Sequence, residues 1–469
     1  MRSCLAALCL FGVVGLASLA AASEAERPNV LFIAIDDLND WIGCMDGHPN
    51  AITPNLDRLA KRGVLFTNAM CPAPSCLPSR NATMTGLAPA RTGLYRNLSG
   101  HFRMYEDLKD TPIIPQYFKQ HGYKTYGVGK LLHHFRADDY DEALDNQYWV
   151  NPAPEGVDIH KQPGTIERAL PWWAPAPASN EEMKDWQAAQ WIAERLQQEH
   201  EQPFFMACGI FRPHEPWNVP QKYYDKFPLE SLSLPKVLAD DLADVGKAVR
   251  RPNELAAKIV EDEKIWRTAV QSYLANINFA DDCLGVVLDA LEESPHKDNT
   301  LIVLWSDHGW HLGEKLQWTK FTLWEESARC VLMCAGPGIP EDKRSGHPVN
   351  LLDIFPTLNE LCGLPAKAGL DGESFVASLR QPGKQGLRGP TLTANEHGFS
   401  VRDTRWRYIR YHDGSEELYD HQNDPMEWRN LAGAEEHAAL KARLRAFVPE
   451  NPRAERDKVL KRRARKAKP

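Results

Sequence analysis

Cys76-Leu77-Pro78-Ser79-Arg80 is the segment of this 469-residue chain whose residue types most readily do chemistry. It puts a sulfur just ahead of a helix-like stretch, with Pro78 suited to the first helical turn. The amide donors of such a turn point at any group on Cys76 and favour an anion there. Arg80 adds a fixed positive charge one turn on. A thiolate nucleophile would want a histidine partner; for Cys76 taken singly, a buried loop cysteine is the ordinary reading. Two further pairs, Asp36-Asp37 and Asp307-His308, offer the hard carboxylate oxygens that divalent cations require. Either pair alone reads equally well as a solvated loop or a helix cap. Lys130 with His133, His214 and Lys320 add cationic and proton-transfer groups. A divalent cation, an arginine, two lysines and histidines together suit a tetrahedral anionic ester. Their work would be to stabilise charge on its non-bridging oxygens and to protonate the leaving oxygen.

The elements that must position these residues follow from the apolar pattern. Asn29–Ile35 runs into Asp36-Asp37, Tyr123–Val128 into Gly129-Lys130, Phe204–Phe211 into Arg212-Pro213-His214, and Leu301–Trp305 into Ser306-Asp307-His308. Near-continuous apolar runs of this length read as strands buried on both faces. Helical patterns at Asn55–Arg62, Asp185–Gln198 and Ile265–Leu291 separate them, so the chain reads as an α/β fold whose large, mostly parallel sheet is sandwiched by helices. Ligands of such sheets bind beyond the carboxyl ends of the strands, which is where the acids, lysine and histidines fall. After the linker-like Gln381–Gly386, the alternation Trp406–Tyr411, the turn Asp413-Gly414 and Glu417–Tyr419 predict a small antiparallel subdomain. A helix near Ala434–Phe447 closes it. Residues 229–262 are charged, helix-poor and placed in no element.

Composition sets the compartment and partners. Arg2, the apolar run Cys4–Ala22 and the small residues before Glu24 have the pattern of a cleaved secretory signal over residues 1–25. No later segment is apolar enough to span a membrane, so the expectation is an exported protein, secreted or periplasmic, without stable membrane insertion. Residues 26–385 form the catalytic unit, 386–450 the C-terminal α+β subdomain and 451–469 a basic, mobile tail. The net charge is −8 although Arg453–Lys468 alone carries nine basic against two acidic residues. The body is therefore acidic, which argues against nucleic acid as a partner. Eight cysteines lie beyond the signal with no metal-type C-x-x-C pair, and Cys330 and Cys334 read as buried core thiols.

These motifs resemble the type I, formylglycine-dependent sulfatases of the alkaline phosphatase superfamily, on the side of iduronate-2-sulfatase-like enzymes. Cys76-x-Pro78-x-Arg80 followed by Met84-Thr85-Gly86 resembles the sulfatase modification motif, and Gly122–His133 the second sulfatase signature. Pro213-His214-x-Pro216 and Ser306–Glu314 resemble the uronate-2-sulfatase-like pattern, and the likeness resumes at Glu417–Glu427. Leu77 and Leu132 depart from the usual residues of the family, as does His308, which stands where many sulfatases carry Asn.

The resemblance implies an alkaline phosphatase-like fold and a sulfuric ester hydrolase acting on sulfated carbohydrate. It implies that a formylglycine-generating enzyme oxidises Cys76 to formylglycine, whose hydrate is the nucleophile. One calcium ion would be held by Asp36, Asp37, the modified Cys76, Asp307 and His308. Arg80 and Lys130 would polarise the hydrate and the sulfate; His214 and Lys320 would face the bridging oxygen, and His133 would take the proton that releases sulfate. The other readings are a phosphodiesterase or phosphonate monoester hydrolase on the same scaffold, and a glycan-binding pseudoenzyme should Cys76 stay unmodified. The Trp172-Trp173 pair, Arg96, His101, Arg103 and Glu396-His397 are candidates for contact with the sugar. Asn81 and Asn97 lie in glycosylation sequons, Asn81 in a poor place for a glycan.

Overall fold

Asn29–Ile35 (β1) is buried at every position, and its side chains alternate between two cores. Leu31, Ile33 and Ile35 enter one and Val30, Phe32 and Ala34 the other, as a strand covered on both faces requires. The computed structural model describes residues 27–97, 101–145, 173–246, 249 and 253–456. The signal-like segment, Trp172 and the chain beyond Arg456 lie outside the described residues.

The remaining strands of the central sheet are β2 (Gly63–Met70), β3 (Lys124–Gly129), β4 (Glu142–Leu144), β5 (Phe204–Ile210) and β6 (Thr300–Ser306). After a two-stranded hairpin, β7 (His311–Leu312) with β8 (Trp318–Thr319), come β9 (Arg329–Ala335), β10 (Lys343–Ser345) and β11 (Val349–Asn350). The order is β10-β2-β9-β6-β1-β5-β3-β4, with β11 also on β2. β6, β1, β5, β3 and β4 run parallel, and β9 is antiparallel to both β6 and β2. This is the mostly parallel sheet expected.

Register makes the site. Ile35 pairs with Ile210 on one side and Ser306 on the other, so three strands end level and hand Asp36, the His214 loop and Asp307 to one edge. Gly129 pairs with Gly209. A side chain at either would run into the backbone of the other strand's end, and Gly129 has φ +78. This close approach lets the chain leave β3 with Lys130 at the same edge.

Helices Pro54–Arg62, Lys184–Leu196 and Glu263–Glu293 pack on the sheet close to their expected bounds. The long one is capped by Asp262, which accepts from the N–H of Lys264 and Ile265 at 3.0 and 3.2 Å. Its Asp281 in turn accepts from the N–H of Asn55 and Leu56, capping Pro54–Arg62. Among the described residues of 229–262 lie a 3-10 turn, Leu229–Ser231, and an α-helix, Glu254–Val260, while Leu242 and Val245 plug a cluster with Trp324, Tyr411 and Tyr419.

The C-terminal sheet is the antiparallel meander β12 (Thr391–Asn395), β13 (Gly398–Arg402), β14 (Trp406–Tyr411), β15 (Glu416–Asp420). The helix beyond it is a 3-10 turn, Glu435–His437, leading into Ala438–Arg445. The tail differs from expectation at its start. Arg453 donates its N–H to Ala90 O at 2.7 Å, Arg456 pairs with Asp107 at 2.8 Å, and Glu455 pairs with Arg96. Residues 453–456 are thus a strap across the body, because their alternating charges find partners there. No helix among the described residues is long and apolar enough to cross a membrane.

Candidate active site

Cys76 opens the helix Cys76–Thr85, every residue of which is buried. Its Sγ lies 3.0 Å from Lys320 Nζ, 3.4 Å from His308 Nε2 and 3.8 Å from Asp37 Oδ1. Burial, with Asp36 adding to it, pushes the thiol up, so the free thiol is poorly ionised where it sits. Asn97 seats the helix start: its Oδ1 accepts from Leu77 N–H at 3.0 Å and Ser75 Oγ at 2.8 Å. The sequence marked Asn97 only as a sequon. Asn97→Ala should lower stability by about 1 kcal/mol, the usual loss when a helix start loses its side-chain acceptor. Denaturant unfolding of variant and parent measures it. Asn81, on the same helix, is buried, in agreement with its being a poor glycan acceptor.

The structure brings together every residue that the sequence nominated for the metal. Ligand atoms of Asp36, Cys76, Asp307 and His308, and likewise of Asp36, Asp37, Cys76 and His214, converge within 4.8 Å of one another. Two observations fit a metal ion there. Asp37 Oδ2 is buried and makes no hydrogen bond among the described residues. His308 Nδ1 lies 2.9 Å from Gly309 O, which fixes that nitrogen as the N–H and turns the Nε2 lone pair inward. Nε2 stands 3.3 Å from Asp37 Oδ1 and 3.6 Å from Asp307 Oδ2. Burial holds the imidazole below its ordinary pKa and so neutral, the form a metal ligand needs.

The basic groups divide their work. Arg80 is fully buried and donates to Asp307 Oδ2 (2.8 Å), Asp36 Oδ1 (3.1 Å) and the carbonyls of Lys130 and Leu131. It holds two carboxylates in place. Lys130 pairs with Asp36; burial would raise that carboxyl, but Lys130 and Arg80 hold it well below its usual range. Lys320 Nζ sits 2.6 Å from Asp37 Oδ1. Burial alone would drive its pKa down, yet Asp37 keeps it well above normal and charged. Asp37 itself is raised by burial in spite of Lys320.

His214 lies on the loop after β5, 19% exposed, with Nε2 3.8 Å from Asp37 Oδ2 and Nδ1 2.6 Å from Glu215 O. Burial, Lys130 and Lys320 push it well below its ordinary value, so it is neutral while the site holds no anion. Burial and Lys130 likewise take His133 down to about 3, leaving it able to accept a proton.

The proposed sugar contacts fare differently. Trp173 is buried and stacked on Trp217 at 5.7 Å, so it anchors a loop. Arg96 pairs with Glu455, and Arg103 bonds Asp139 at 2.6 Å and Gln116 at 2.8 Å. His101 is pushed down to about 4 by burial and Arg103. Among the described members of this group only His397, with Glu396 beside it, presents a largely exposed side chain. A second cluster, Glu325, His421 and Glu427, escaped sequence reasoning. It is balanced by arginine: Arg407 Nε is 2.6 Å from Glu427 Oε1, Arg407 also meets Glu325, and Arg402 lies 3.3 Å from Glu325. Glu427 Oε2 accepts from Glu325 N–H at 2.9 Å. This network ties the Glu417–Glu427 motif to the segment that follows Lys320.

Residues 28–364 match the family described as Sulfatase. The chain belongs to the sulfatase family. Residues 313–451 also match the family described as N-sulphoglucosamine sulphohydrolase, C-terminal. The sulfatase is 41% identical over 443 residues to a protein of Formosa agariphila named "Sulfatase", covering 91% of this chain and 87% of that one. It is 30% identical over 416 residues to the iduronate 2-sulfatase of Mus musculus, covering 77% and 73% of the two chains. Among solved structures, a phosphonate monoester hydrolase from Silicibacter pomeroyi superposes with TM-score 0.74 at 23% identity, over 94% of this chain and 96% of that one. That likeness speaks for the fold. The sulfatase is accordingly a sulfuric ester hydrolase, with the alkaline phosphatase-like α/β fold.

Proposed function

We propose that this sulfatase hydrolyses sulfate esters of sugars at Cys76, after a formylglycine-generating enzyme has converted that residue and with one calcium ion held by Asp36, Asp37, Cys76, Asp307 and His308. The observation that carries the reading is the seat of Cys76. It lies at a helix start, ringed by Lys320, His308 and Asp37 at 3.0–3.8 Å, with its own thiol kept poorly ionised by burial. Formylglycine supplies a hydrated aldehyde with two hydroxyls, and calcium supplies positive charge beside the sulfate oxygens. The signal-like N-terminus supports export of the protein.

The chain's own residues do the rest. Arg80 holds Asp36 and Asp307 in place, and Lys130 neutralises charge beside them. Lys320 Nζ lies 3.0 Å from Cys76 Sγ and a ring nitrogen of His214 within 4.8 Å of it, near enough for both to serve the leaving alcohol. An arriving sulfate offsets the charge of Lys130 and Lys320 that keeps His214 deprotonated, so binding itself lifts the imidazole toward its protonated form. His214 then gives its proton to the bridging oxygen, and His133, neutral, takes the proton of the remaining hydroxyl.

His214→Ala should therefore cost sugar sulfates about 10²- to 10⁴-fold in kcat, the usual contribution of a general acid, and cost nitrophenyl sulfate far less. An activated aryl alcohol leaves without that proton. Steady-state kinetics of both esters on parent and variant give the test, with a phosphonate monoester as a third substrate. Equal losses on the two sulfates would make His214 a packing residue; faster turnover of the phosphonate would overturn sulfate as the preferred ester.

A further inference from the structure

Phe321 follows Lys320 in sequence and is 43% exposed, one of few large apolar side chains so placed among the described residues. Its backbone is left-handed, with φ +82, a conformation that costs a non-glycine residue free energy and persists only where the surroundings impose it. Two hydrogen bonds do so. Phe321 N–H donates to Pro74 O at 3.0 Å, two residues from Cys76, and its carbonyl accepts from Asn395 Nδ2 at 2.9 Å. The same Asn395 caps the β12–β13 turn that carries Glu396 and His397. An aromatic ring is thus held at the surface, beside the lysine that touches Cys76, against both strain and hydration. Lys320 also acts electrostatically on Glu215, the residue after His214. The Glu215 carboxyl makes no hydrogen bond or ion pair among the described residues; burial pushes its pKa up and Lys320 opposes that.

We infer that Phe321 is the platform on which the sugar bearing the sulfate stacks, and that Glu215 accepts a hydroxyl of that sugar and turns away sugars that place a carboxylate there. The substrate is then a sulfated neutral pyranose. The inference rests on the sugar-sulfatase reading above. The C–H face of a pyranose complements the negative face of a phenyl ring, and an uncommitted carboxyl complements sugar hydroxyls. A uronate would need a cation at the mouth; of the four that the sequence offered three are spent, and His397 has Glu396 at 3.9 Å beside it. Arg96 is paired with Glu455, Arg103 with Asp139, and His101 is held neutral. A carboxyl in place of a cation offers a uronate no counter-charge, and repels it whenever ionised.

The test uses full-length protein matured with a formylglycine-generating enzyme. Monosulfated galactose and glucose, a 2-O-sulfated hexuronate and nitrocatechol sulfate are assayed with the parent, Phe321→Ala, Phe321→Tyr and Glu215→Gln. The parent should prefer a neutral sugar sulfate over the uronate by at least tenfold in kcat/KM. Phe321→Ala should raise KM for the neutral sugar about tenfold, Phe321→Tyr should restore it, and Glu215→Gln should narrow the neutral-to-uronate ratio. A parent that turns over nitrocatechol sulfate yet prefers the uronate, or an alanine variant whose KM for the sugar is unchanged, overturns this inference alone. A matured parent that cleaves no sulfate ester overturns the reading beneath it.

Discussion

Cys76→Ser should yield a folded protein that accepts sulfate and then keeps it. Serine offers one hydroxyl at the helix start, close to Lys320 and His308, so transfer onto its oxygen keeps the charge of Lys320 beside it. Release needs a second hydroxyl on the same carbon, from which His133 removes a proton, and serine has none. Steady-state turnover should fall by roughly 10⁴-fold or more, as when other enzymes lose their nucleophile. What distinguishes this loss from an ordinary one is the product. After incubation with substrate and dialysis, the serine-bearing peptide should carry one sulfate, detectable by mass spectrometry. A packing cysteine or a thiol nucleophile predicts an inactive variant with no adduct.

Metal removal should have an effect of comparable size. Three carboxylates meet at the sheet edge, and Arg80, Lys130 and Lys320 leave Asp37 Oδ2 without a hydrogen bond. A cation supplying several kcal/mol of charge stabilisation accounts for roughly 10³-fold or more in rate. Exhaustive chelation should abolish turnover and lower the thermal midpoint, and added calcium should restore both. Asp37→Asn is the cleaner variant, since its amide oxygen still accepts from Lys320. Asp307→Ala would take the 2.8 Å partner from the fully buried Arg80 and leave it Asp36 as its carboxylate, so that variant would lose stability as well as metal. Full activity after chelation and dialysis would count against the metal site.

Much of this was legible because strand ends are legible. β1, β5 and β6 are unbroken apolar runs, and each is followed at once by the residues that gather at the site. β2 escaped because Thr67 and Asn68 interrupt it where its register against β9 shifts, between Phe66 and Ala69. β9 showed only as an apolar run with two cysteines, since nothing local marks a strand as antiparallel. Arg80 was read as polarising the hydrate and the sulfate; the structure adds its bonds to Asp36 and Asp307, partners that lie 44 and 227 residues away. The Glu325–Arg407–Glu427 network went unseen for the same reason, Glu325 lying 82 residues from Arg407 and 102 from Glu427. The strap at Arg453–Arg456 looked like loose basic tail because Asp107, which receives it, is 346 residues from Arg453.

The most direct measurement follows the Cys76 peptide and the activity of the same sample together. Protein made with graded amounts of a formylglycine-generating enzyme is digested and the fraction of Cys76 present as aldehyde is read by mass spectrometry. The undigested remainder is assayed on a sulfate ester. Turnover should rise in proportion to the aldehyde fraction and vanish, on extrapolation, for the pure thiol form, which should still fold and bind calcium. Hydrolysis by the unmodified thiol protein at the rate of the fully converted one would contradict the account.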